Sequence, residues 1–316
     1  MRELSRLHVL VTGALGFIGS NVCSELVQMG HKVTGLDHGV RHSIKQIDPR
    51  VLDASRVSWK YCDISMEAEL SKVLDSIEQP VDGIFHFAGL NPGRFDEISA
   101  FFKNNFTATL NILAMANKLG IRKIVLGSTI SVYGVGANQH VPEYLPVDES
   151  HVTRPYDFYD ISKYQAEQIC KFYHDRFDIG ISILRISKTF GPGLQDGFVR
   201  KAADMALSNS PITVEGQVST DFVYVTDVAK ASLAAFEKPD GHQIFNIGSG
   251  EELTWYQLCS RIIGLAGSSS KIIYHDKPKA RFSLDISKAK HHLAYTPTEI
   301  EEGLRKYINY LRHSKN

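Results

Sequence analysis

A tyrosine and a lysine four residues apart, Tyr159 and Lys163, carry the clearest chemical signal in this sequence. Residues at positions i and i+4 share one face of a helix, so the lysine ammonium is expected to lie near the phenol. An ammonium in that place stabilises the phenolate and lowers the pKa of the tyrosine. Such a tyrosine can take a proton from an alcohol near neutral pH, as a general base must.

A glycine-rich turn near the N-terminus supplies the second signal. Gly13, Gly16 and Gly19 follow an apolar strand over residues 7–12 and open a helix over residues 17–29. Glycines let the backbone approach a pyrophosphate, which the N–H groups of the first helical turn then bind. The alternative is a tight turn whose glycines only pack, but the strand before it and the helix after it favour a dinucleotide.

An acidic residue at the end of the second strand indicates which dinucleotide would bind. Asp37 stands where a carboxylate accepts hydrogen bonds from the adenine ribose, and it would repel a 2′-phosphate. This favours NAD, although the nearby cations Arg41 and His42 leave NADP open. Asp63 and Ile64, at the end of the third strand, either flank the adenine or form an ordinary helix N-cap.

Strands and helices alternate through the first 185 residues. We expect strands at 7–12, 32–36, 57–61, 83–87, 123–126 and 181–184, and helices at 17–29, 66–77, 100–119 and 159–177. This alternation predicts an α/β fold, a Rossmann-type doubly wound parallel sheet with helices on both faces. Residues 1–185 would form the NAD-binding domain, and residues 186–316, with short segments rich in Gly, Pro and Ser, a smaller, irregular substrate domain. Later segments near 221–247 are expected to return to the first domain.

The composition excludes several classes of partner. The 316 residues include 35 Lys and Arg against 35 Asp and Glu, so nothing favours nucleic acid or an anionic membrane. The four cysteines are scattered without metal-ligand spacing, which favours reduced thiols and no metal site. The chain begins without a signal peptide and has no apolar stretch long enough to span a bilayer, so a cytoplasmic location is expected.

Other motifs recur in order along nearly the whole chain. They include His86-Phe87-Ala88-Gly89, Ser128-Thr129-Ile130-Ser131-Val132-Tyr133-Gly134, Leu184-Arg185, Phe190-Gly191-Pro192-Gly193, residues 221–228 and Asn246-Ile247-Gly248-Ser249-Gly250. Together with the glycine turn and the Tyr159–Lys163 pair, they make the sequence resemble the extended short-chain dehydrogenase/reductase family. The group it resembles contains the nucleotide-sugar epimerases and dehydratases.

The resemblance implies roles for individual residues. Tyr159 would transfer the proton, Lys163 would bind the nicotinamide ribose, and Thr129 would hydrogen-bond the reacting oxygen unless its hydroxyl only caps backbone. Lys163 and a bound nicotinamide would together lower the pKa of Tyr159 towards the working pH. Asn105 is expected to support the site by bonding backbone, and His86 to have no catalytic role. The expected cofactor contacts are Gly13, Gly16, Phe17, Ile18, Gly19, Asp37, Asp63, Ile64, Ala88 and Lys163.

Departures from the family pattern concern the substrate. Lys188 stands where members acting on nucleotide sugars commonly have Asn, and Thr220 where they commonly have Arg, and both family residues contact the substrate diphosphate. Lys188 can still bind phosphate as a point charge. Arg281 would supply a further cation or else be a solvated surface arginine. Ile130 and Ser131 replace the acidic pair of the 4,6-dehydratases, so dehydration is not expected.

The leading hypothesis is an NAD-dependent nucleotide-sugar epimerase of the 4-epimerase type, acting through a transient keto intermediate with Tyr159 as base and acid. One alternative is an NAD(P)-dependent ketosugar reductase or small-alcohol dehydrogenase, which would consume NAD(P)H. Another is a non-catalytic NAD-binding sensor, which predicts loss of catalytic residues that this chain retains.

Two helices carry wide apolar faces that suggest an assembly. The apolar residues are Phe101, Phe102, Leu110 and Leu113 in the helix from Ala100, and Ile169, Phe172 and Tyr173 in the helix from Tyr159. The resemblance implies a homodimer built on these helices; packing on the chain's own sheet is the alternative.

Overall fold

The computed structural model describes residues 6–39, 57–77, 80–91, 97–134, 142–216, 218–238, 241–276 and 280–314. Within these ranges the strands are β1 (His8–Thr12), β2 (Lys32–Asp37), β3 (Val57–Tyr61), β4 (Gly83–His86), β5 (Lys123–Thr129), β6 (Gly180–Ile186), β7 (Lys188–Phe190), β8 (Ile212–Glu215), β9 (Ser219–Tyr224), β10 (His242–Ile247), β11 (Glu252–Thr254) and β12 (Ile272–His275). The α-helices are α1 (Phe17–Gln28), α2 (Glu67–Asp75), α3 (Ile98–Phe101), α4 (Ala108–Leu119), α5 (Phe158–Phe177), α6 (Phe198–Leu207), α7 (Val225–Glu237), α8 (Trp255–Ala266), α9 (Ser287–Leu293) and α10 (Ile300–His313).

A seven-stranded sheet forms the centre of the larger part of the molecule. Its strand order is β10-β6-β5-β4-β1-β2-β3, and all of its strand pairs are parallel. The order reverses between β1 and β4, which is the switch point of a doubly wound sheet, where the carboxyl ends of neighbouring strands open a crevice. The predicted Rossmann-type α/β fold is therefore confirmed.

The sheet is covered on both faces by helices. Along β1, Val9 and Val11 belong to one apolar cluster and Leu10 belongs to the other, as the two-residue period of a strand requires. The first cluster includes buried residues of α1 and α7, and the second includes buried residues of α2, α4 and α5. Burial on both faces explains why these strands read as continuous apolar runs in the sequence.

The chain after β6 builds a smaller layer but also returns to the large sheet. A three-stranded sheet, β11-β9-β7, and the pair β12-β8 enclose a third apolar cluster with α6, α8 and α10. Strand β10 lies at the edge of the large sheet against β6, and α7 packs on α1. Among the described residues, no helix is both long and apolar enough to cross a membrane.

The structure differs from the sequence expectations where helices and strands meet the site. The helix expected over residues 100–119 is interrupted by a π-helical segment, Phe102–Thr107, between α3 and α4. Strand β5 continues to Thr129, three residues beyond the expected end, because its last residues still pair with β6 up to Ile186. The extension of β5 carries Ser128 and Thr129 to the rim of the sheet.

Candidate active site

A cavity of about 550 Å³ lies at the carboxyl ends of the central strands. It is lined by residues that follow β1, β2, β3, β4 and β6 and by the last three residues of β5. Most of the residues that the sequence suggested as cofactor or substrate contacts line this cavity. They are Gly13, Gly16, Phe17, Ile18, Gly19, Asp37, Asp63, Ile64, Ala88, Thr129, Tyr159, Lys163 and Lys188. The fold therefore brings the glycine turn, the tyrosine–lysine pair and one candidate phosphate ligand to a single cavity.

The glycine turn is packed so closely that side chains are excluded. Gly13 has a φ of +65°, and a Cβ on it would lie 2.6 Å from the Ala88 backbone nitrogen. A Cβ on Gly19 would lie 2.8 Å from the carbonyl carbon of Gly13. Gly16 is the N-cap of α1 and donates its N–H to the Gly13 carbonyl at 2.8 Å. The resulting cradle of bare backbone at a helix N-terminus fits the pyrophosphate of a dinucleotide.

The acid that ends β2 is held in place by backbone donors. Asp37 is 7% exposed, and its two carboxylate oxygens accept the N–H groups of Leu15 and Gly39, each at 3.0 Å. This arrangement fixes the carboxylate at the cavity wall, where adenine ribose hydroxyls would reach it. Arg41 and His42, which left NADP open, lie outside the described residues.

Asp63 forms a turn rather than a helix cap. Its Oδ1 accepts the N–H of Ser65 at 3.0 Å, its Oδ2 lies 3.0 Å from Lys103 Nζ, and α2 has Met66 as its N-cap. Burial raises the pKa of Asp63, but the hydrogen bonds from Ser65 and Lys103 outweigh it and hold the pKa below its usual value. The carboxylate is therefore charged at the adenine end of the cavity.

A capping box sets the start of the helix that carries the tyrosine–lysine pair. The N-cap Asp157 accepts the N–H of Asp160 at 2.8 Å, and Asp160 accepts the N–H of Asp157 in return. Helix α5 therefore begins at Phe158 and presents Tyr159 in its first turn. One turn on, Lys163 is buried and donates from Nζ to the Gly127 carbonyl at 2.6 Å.

The protein environment of Tyr159 makes its phenol harder to ionise. Burial raises its pKa to about 12; the hydrogen bond with Thr129 lowers the pKa, and the charges of Asp160 and Asp157 raise it further. The Lys163 ammonium donates to the Gly127 carbonyl. The positive charge of a bound oxidised nicotinamide would lower the pKa of Tyr159.

Thr129 caps backbone and lies beside the phenol of Tyr159, whereas its contact with a reacting oxygen stays a prediction. Its Oγ1 accepts the N–H of Ser131 at 3.1 Å and so caps the short 3₁₀ helix Ile130–Tyr133. The same hydroxyl hydrogen-bonds Tyr159. The capping bond fixes the hydroxyl beside the phenol, which is where an oxygen of a reacting alcohol would be held.

Lys188 begins β7 and faces the cavity. Its side chain is open to the cavity, yet the surrounding protein atoms lower its pKa, while the charges of Asp160 and Asp157 oppose this by raising it. Thr220 is buried in β9 and, in the part of the chain that the structure describes, is not among the residues that line the cavity. The structure thus places one of the two departures from the family pattern at the site.

Arg281 is not brought to this cavity within the described ranges. Its guanidinium pairs with Glu252 through two hydrogen bonds, Nε–Oε1 at 2.9 Å and Nη2–Oε2 at 2.8 Å, and its side chain is 69% exposed. The prediction that Arg281 binds substrate has no support from this geometry, because the guanidinium already has a carboxylate partner.

Two buried polar residues support the site. Asn105, in the π-helical segment, accepts the N–H of Leu90 at 2.7 Å and donates to Ser162 Oγ at 2.9 Å, so it joins the loop after β4 to α5. His86 contacts Thr12 Oγ1 at 2.5 Å and Thr109 Oγ1 at 3.0 Å. Burial and the Lys163 charge lower the pKa of His86 to about 3, so it is a neutral core histidine.

Several residues that shape the site carry no clear signal in the sequence. Ser187, Thr189 and residues 194–197 line the cavity. Glu167, buried one turn beyond Lys163, bonds both Ser128 and Arg185. Its spacing from Lys163 was the available signal, because i and i+4 place the two on one helix face.

No group of three or more His, Cys, Asp or Glu within the described ranges could hold a metal ion. The four cysteines are buried and free.

Comparisons with known proteins agree with this site. The model of the "NAD dependent epimerase/dehydratase family" matches residues 9–248. A candidate UDP-glucose 4-epimerase of Methanocaldococcus jannaschii is 33% identical over 97% of this chain and 99% of its own length. The crystal structure of UDP-glucose 4-epimerase from Thermotoga maritima with UDP-glucose has a TM-score of 0.87 at 26% identity, covering 98% of this chain and 100% of that one. That of UDP-glucuronic acid 4-epimerase from Bacillus cereus with NAD has a TM-score of 0.83 at 28% identity, with the same coverage.

Proposed function

This chain belongs to the NAD dependent epimerase/dehydratase family, and we propose that it is an NAD-dependent nucleotide-sugar 4-epimerase working through a transient keto intermediate. One observation carries the proposal. A single cavity is lined by the glycine turn, by Asp37, by Thr129, Tyr159 and Lys163, and by Lys188. It thus combines a dinucleotide cradle, proton-transfer groups and a cation for an anionic substrate.

The residues of the chain fit NAD along the whole cavity. The bare backbone of the glycine turn would receive the pyrophosphate, and the Asp37 carboxylate would accept hydrogen bonds from the adenine ribose hydroxyls. Lys163 Nζ, which donates to the Gly127 carbonyl, would also donate to the nicotinamide ribose. The chemistry that bound NAD would supply is reversible hydride transfer at the alcohol carbon.

The chain's own groups handle the proton. Thr129 Oγ1 holds the reacting hydroxyl against Tyr159 Oη, so the proton moves from the sugar oxygen to the phenolate as the C–O bond becomes a carbonyl. The 4-keto sugar then turns in the cavity and presents its other face. Tyr159 returns the proton to the oxygen, which gives the epimeric alcohol with no net change in oxidation state.

The substrate we propose is a UDP-hexose or a UDP-hexuronate. The relatives named above are described as acting on UDP-glucose or UDP-glucuronic acid, or are crystallised with such compounds. Lys188 supplies a positive charge for the diphosphate or another anionic group at the place where the family commonly has Asn. Ile130 and Ser131 offer no carboxylate for the elimination step of a 4,6-dehydratase.

A ketosugar reductase of the same fold is the second candidate. Thr220 favours it, because a hydroxyl cannot replace the guanidinium that commonly binds the substrate diphosphate in this family. A panel of UDP-sugars and ketosugars, followed by NMR and by NAD(P)H absorbance together, separates the two. An epimerase interconverts a sugar pair without changing the absorbance, a reductase consumes NAD(P)H in proportion to product, and conversion of none of the panel would contradict both.

A homodimer in the cytoplasm completes the proposal. Ile98 on α3 and Phe158 and Phe172 on α5 are 47%, 46% and 54% exposed, so these helices carry apolar surface that their own sheet does not cover. Pairing of such helices between two subunits would bury that surface. Four buried, free cysteines are compatible with a reducing compartment.

A further inference from the structure

Three consecutive residues of β5 are each bonded to a different residue of α5. The Gly127 carbonyl accepts Lys163 Nζ at 2.6 Å, Ser128 Oγ donates to Glu167 Oε1 at 2.5 Å, and Thr129 hydrogen-bonds Tyr159. The outer two bonds involve the residues proposed for catalysis. The central bond involves Glu167, which has no assigned role.

The Glu167 carboxylate is also tied to the next strand of the sheet. Arg185 donates from Nη2 to Oε2 at 2.8 Å and from Nε to Oε1 at 3.2 Å. Arg185 lies opposite Ser128 in the pairing of β5 with β6, so one carboxylate joins α5 to two neighbouring strands. Glu167 is 1% exposed and Arg185 3% exposed, which removes both charges from water.

Stability alone does not account for this buried pair. A buried ion pair is often no more stabilising than apolar side chains of similar volume, because desolvation offsets the attraction. The pair is also incompletely satisfied: Arg185 Nη1 has no hydrogen-bond partner among the described residues, and the Arg185 Cζ lies 4.7 Å from the centre of the Tyr133 ring. What the carboxylate does provide is a fixed negative charge one helical turn from Lys163.

We propose that Glu167 is a positioning residue of the active site, whose carboxylate keeps the Lys163 ammonium charged and holds the catalytic end of β5 against α5. This inference rests on the proposed function, because it assumes that Lys163 binds the nicotinamide ribose.

The protonation of Lys163 is finely balanced. The pKa of Lys163 is lowered to about 8, because burial lowers it more than the charge of Glu167 raises it. Other titratable groups that face this region, among the described residues, include His86 on β4 and Tyr159 on α5, which are both neutral. Arg185 and Tyr133 face Glu167 rather than Lys163. Without the Glu167 charge, the pKa of Lys163 is expected to fall further, which favours the neutral amine.

The test is the E167Q variant, which keeps the shape and an oxygen acceptor for Ser128 but loses the charge. The protonation of Lys163 is measured by competitive acylation with acetic anhydride across pH, read by mass spectrometry, and NAD affinity is measured across the same pH range. We expect both midpoints to move down by about one pH unit in E167Q. E167D, which keeps the charge, should return them most of the way to the wild-type value.

A matched control replaces a buried carboxylate elsewhere. Asp227 on α7 is 3% exposed and accepts the N–H and hydroxyl of Thr298, each at 2.8 Å. D227N should leave both midpoints unchanged. Equal midpoints in wild type and E167Q, or an equal shift in D227N, would overturn the proposal.

Misfolding of E167Q and failure of the proposed function can each be distinguished from failure of the role proposed for Glu167. If E167Q fails to fold because Arg185 is left unpaired, the double variant E167Q/R185M removes both charges, and its acylation midpoint must still lie below that of wild type. The acylation readout does not depend on catalysis. A wild-type protein that converts no nucleotide sugar would therefore refute the proposed function, whereas an unmoved acylation midpoint would refute the role of Glu167.

Discussion

Substitution of Gly19 by alanine is the perturbation whose effect follows most directly from the structure. The added Cβ would lie 2.8 Å from the carbonyl carbon of Gly13 and 3.2 Å from Cα of Ala14, whereas carbon atoms pack at about 3.5–4.0 Å. The turn must therefore retreat by roughly 1 Å. Overpacking of this kind costs about 1–3 kcal/mol of stability, because the turn is also closely packed against the backbone of Ala88.

The same displacement moves the N–H groups that are proposed to bind the pyrophosphate. We expect the NAD dissociation constant of Gly19→Ala to rise roughly 10- to 100-fold, which corresponds to about 1.4–2.8 kcal/mol. Isothermal titration calorimetry measures the affinity, and urea denaturation measures the stability.

Gly264→Ala is the matched control, since Gly264 lies inside α8 with no atom within 4 Å of an added Cβ. Alanine there should stabilise the helix by about 0.5–1 kcal/mol and leave NAD affinity unchanged. NAD affinity of Gly19→Ala within about twofold of wild type would refute the assignment of this turn as the cofactor cradle.

Three other predictions test separate parts of the account. Tyr159→Phe should lower kcat by about 10²–10⁴-fold in steady-state epimerisation while NAD titrations remain unchanged; full activity would remove Tyr159 from proton transfer. Lys188→Gln should raise KM for the nucleotide sugar by roughly tenfold with a smaller effect on kcat, and an unchanged KM would show that the ammonium does not hold the substrate. Because the pKa of His86 is lowered to about 3, the unfolded chain takes up a proton below pH ~6.5 that the folded chain excludes. The free energy of unfolding should fall by about 2 kcal/mol between pH 6.5 and 5, and His86→Gln should weaken this slope in urea denaturation; an equal slope in both proteins would contradict it.

Local signals in the sequence were sufficient for the fold and for much of the site. The strand, glycine turn and helix around Gly13–Gly19 are encoded by neighbouring residues, and the cavity contains them. The Tyr159–Lys163 spacing predicts a helix face, and α5 places both residues at the cavity. These inferences needed only the periods of a strand and a helix.

Pairings between distant residues could not be read in the same way. Arg281 looked like a free cation, but its partner Glu252 lies 29 residues earlier in the chain. The bond between Ser128 and Glu167 spans 39 residues and depends on the extension of β5. The π-helical segment that positions Asn105 was not predicted, because the apolar residues of 100–119 were interpreted as one continuous helix.

The pKa of Tyr159 was the property hardest to predict from the sequence. The sequence indicates which charges stand near the phenol, but desolvation depends on how completely the cavity wall encloses it. Burial is the larger contribution and raises the pKa to about 12, so a phenolate at neutral pH requires additional positive charge.

A deuterium atom at C4 of the sugar shows directly whether one carbon is oxidised and then reduced in this cavity. UDP-glucose or UDP-glucuronic acid labelled with deuterium at C4 is incubated with the enzyme and NAD, and the product is examined by NMR. Return of the same hydride predicts that the C4 epimer retains the deuterium at C4 and that no NADH accumulates. Loss of the label to solvent, or NADH formed in proportion to product, would contradict an epimerase that oxidises and reduces one carbon within this cavity.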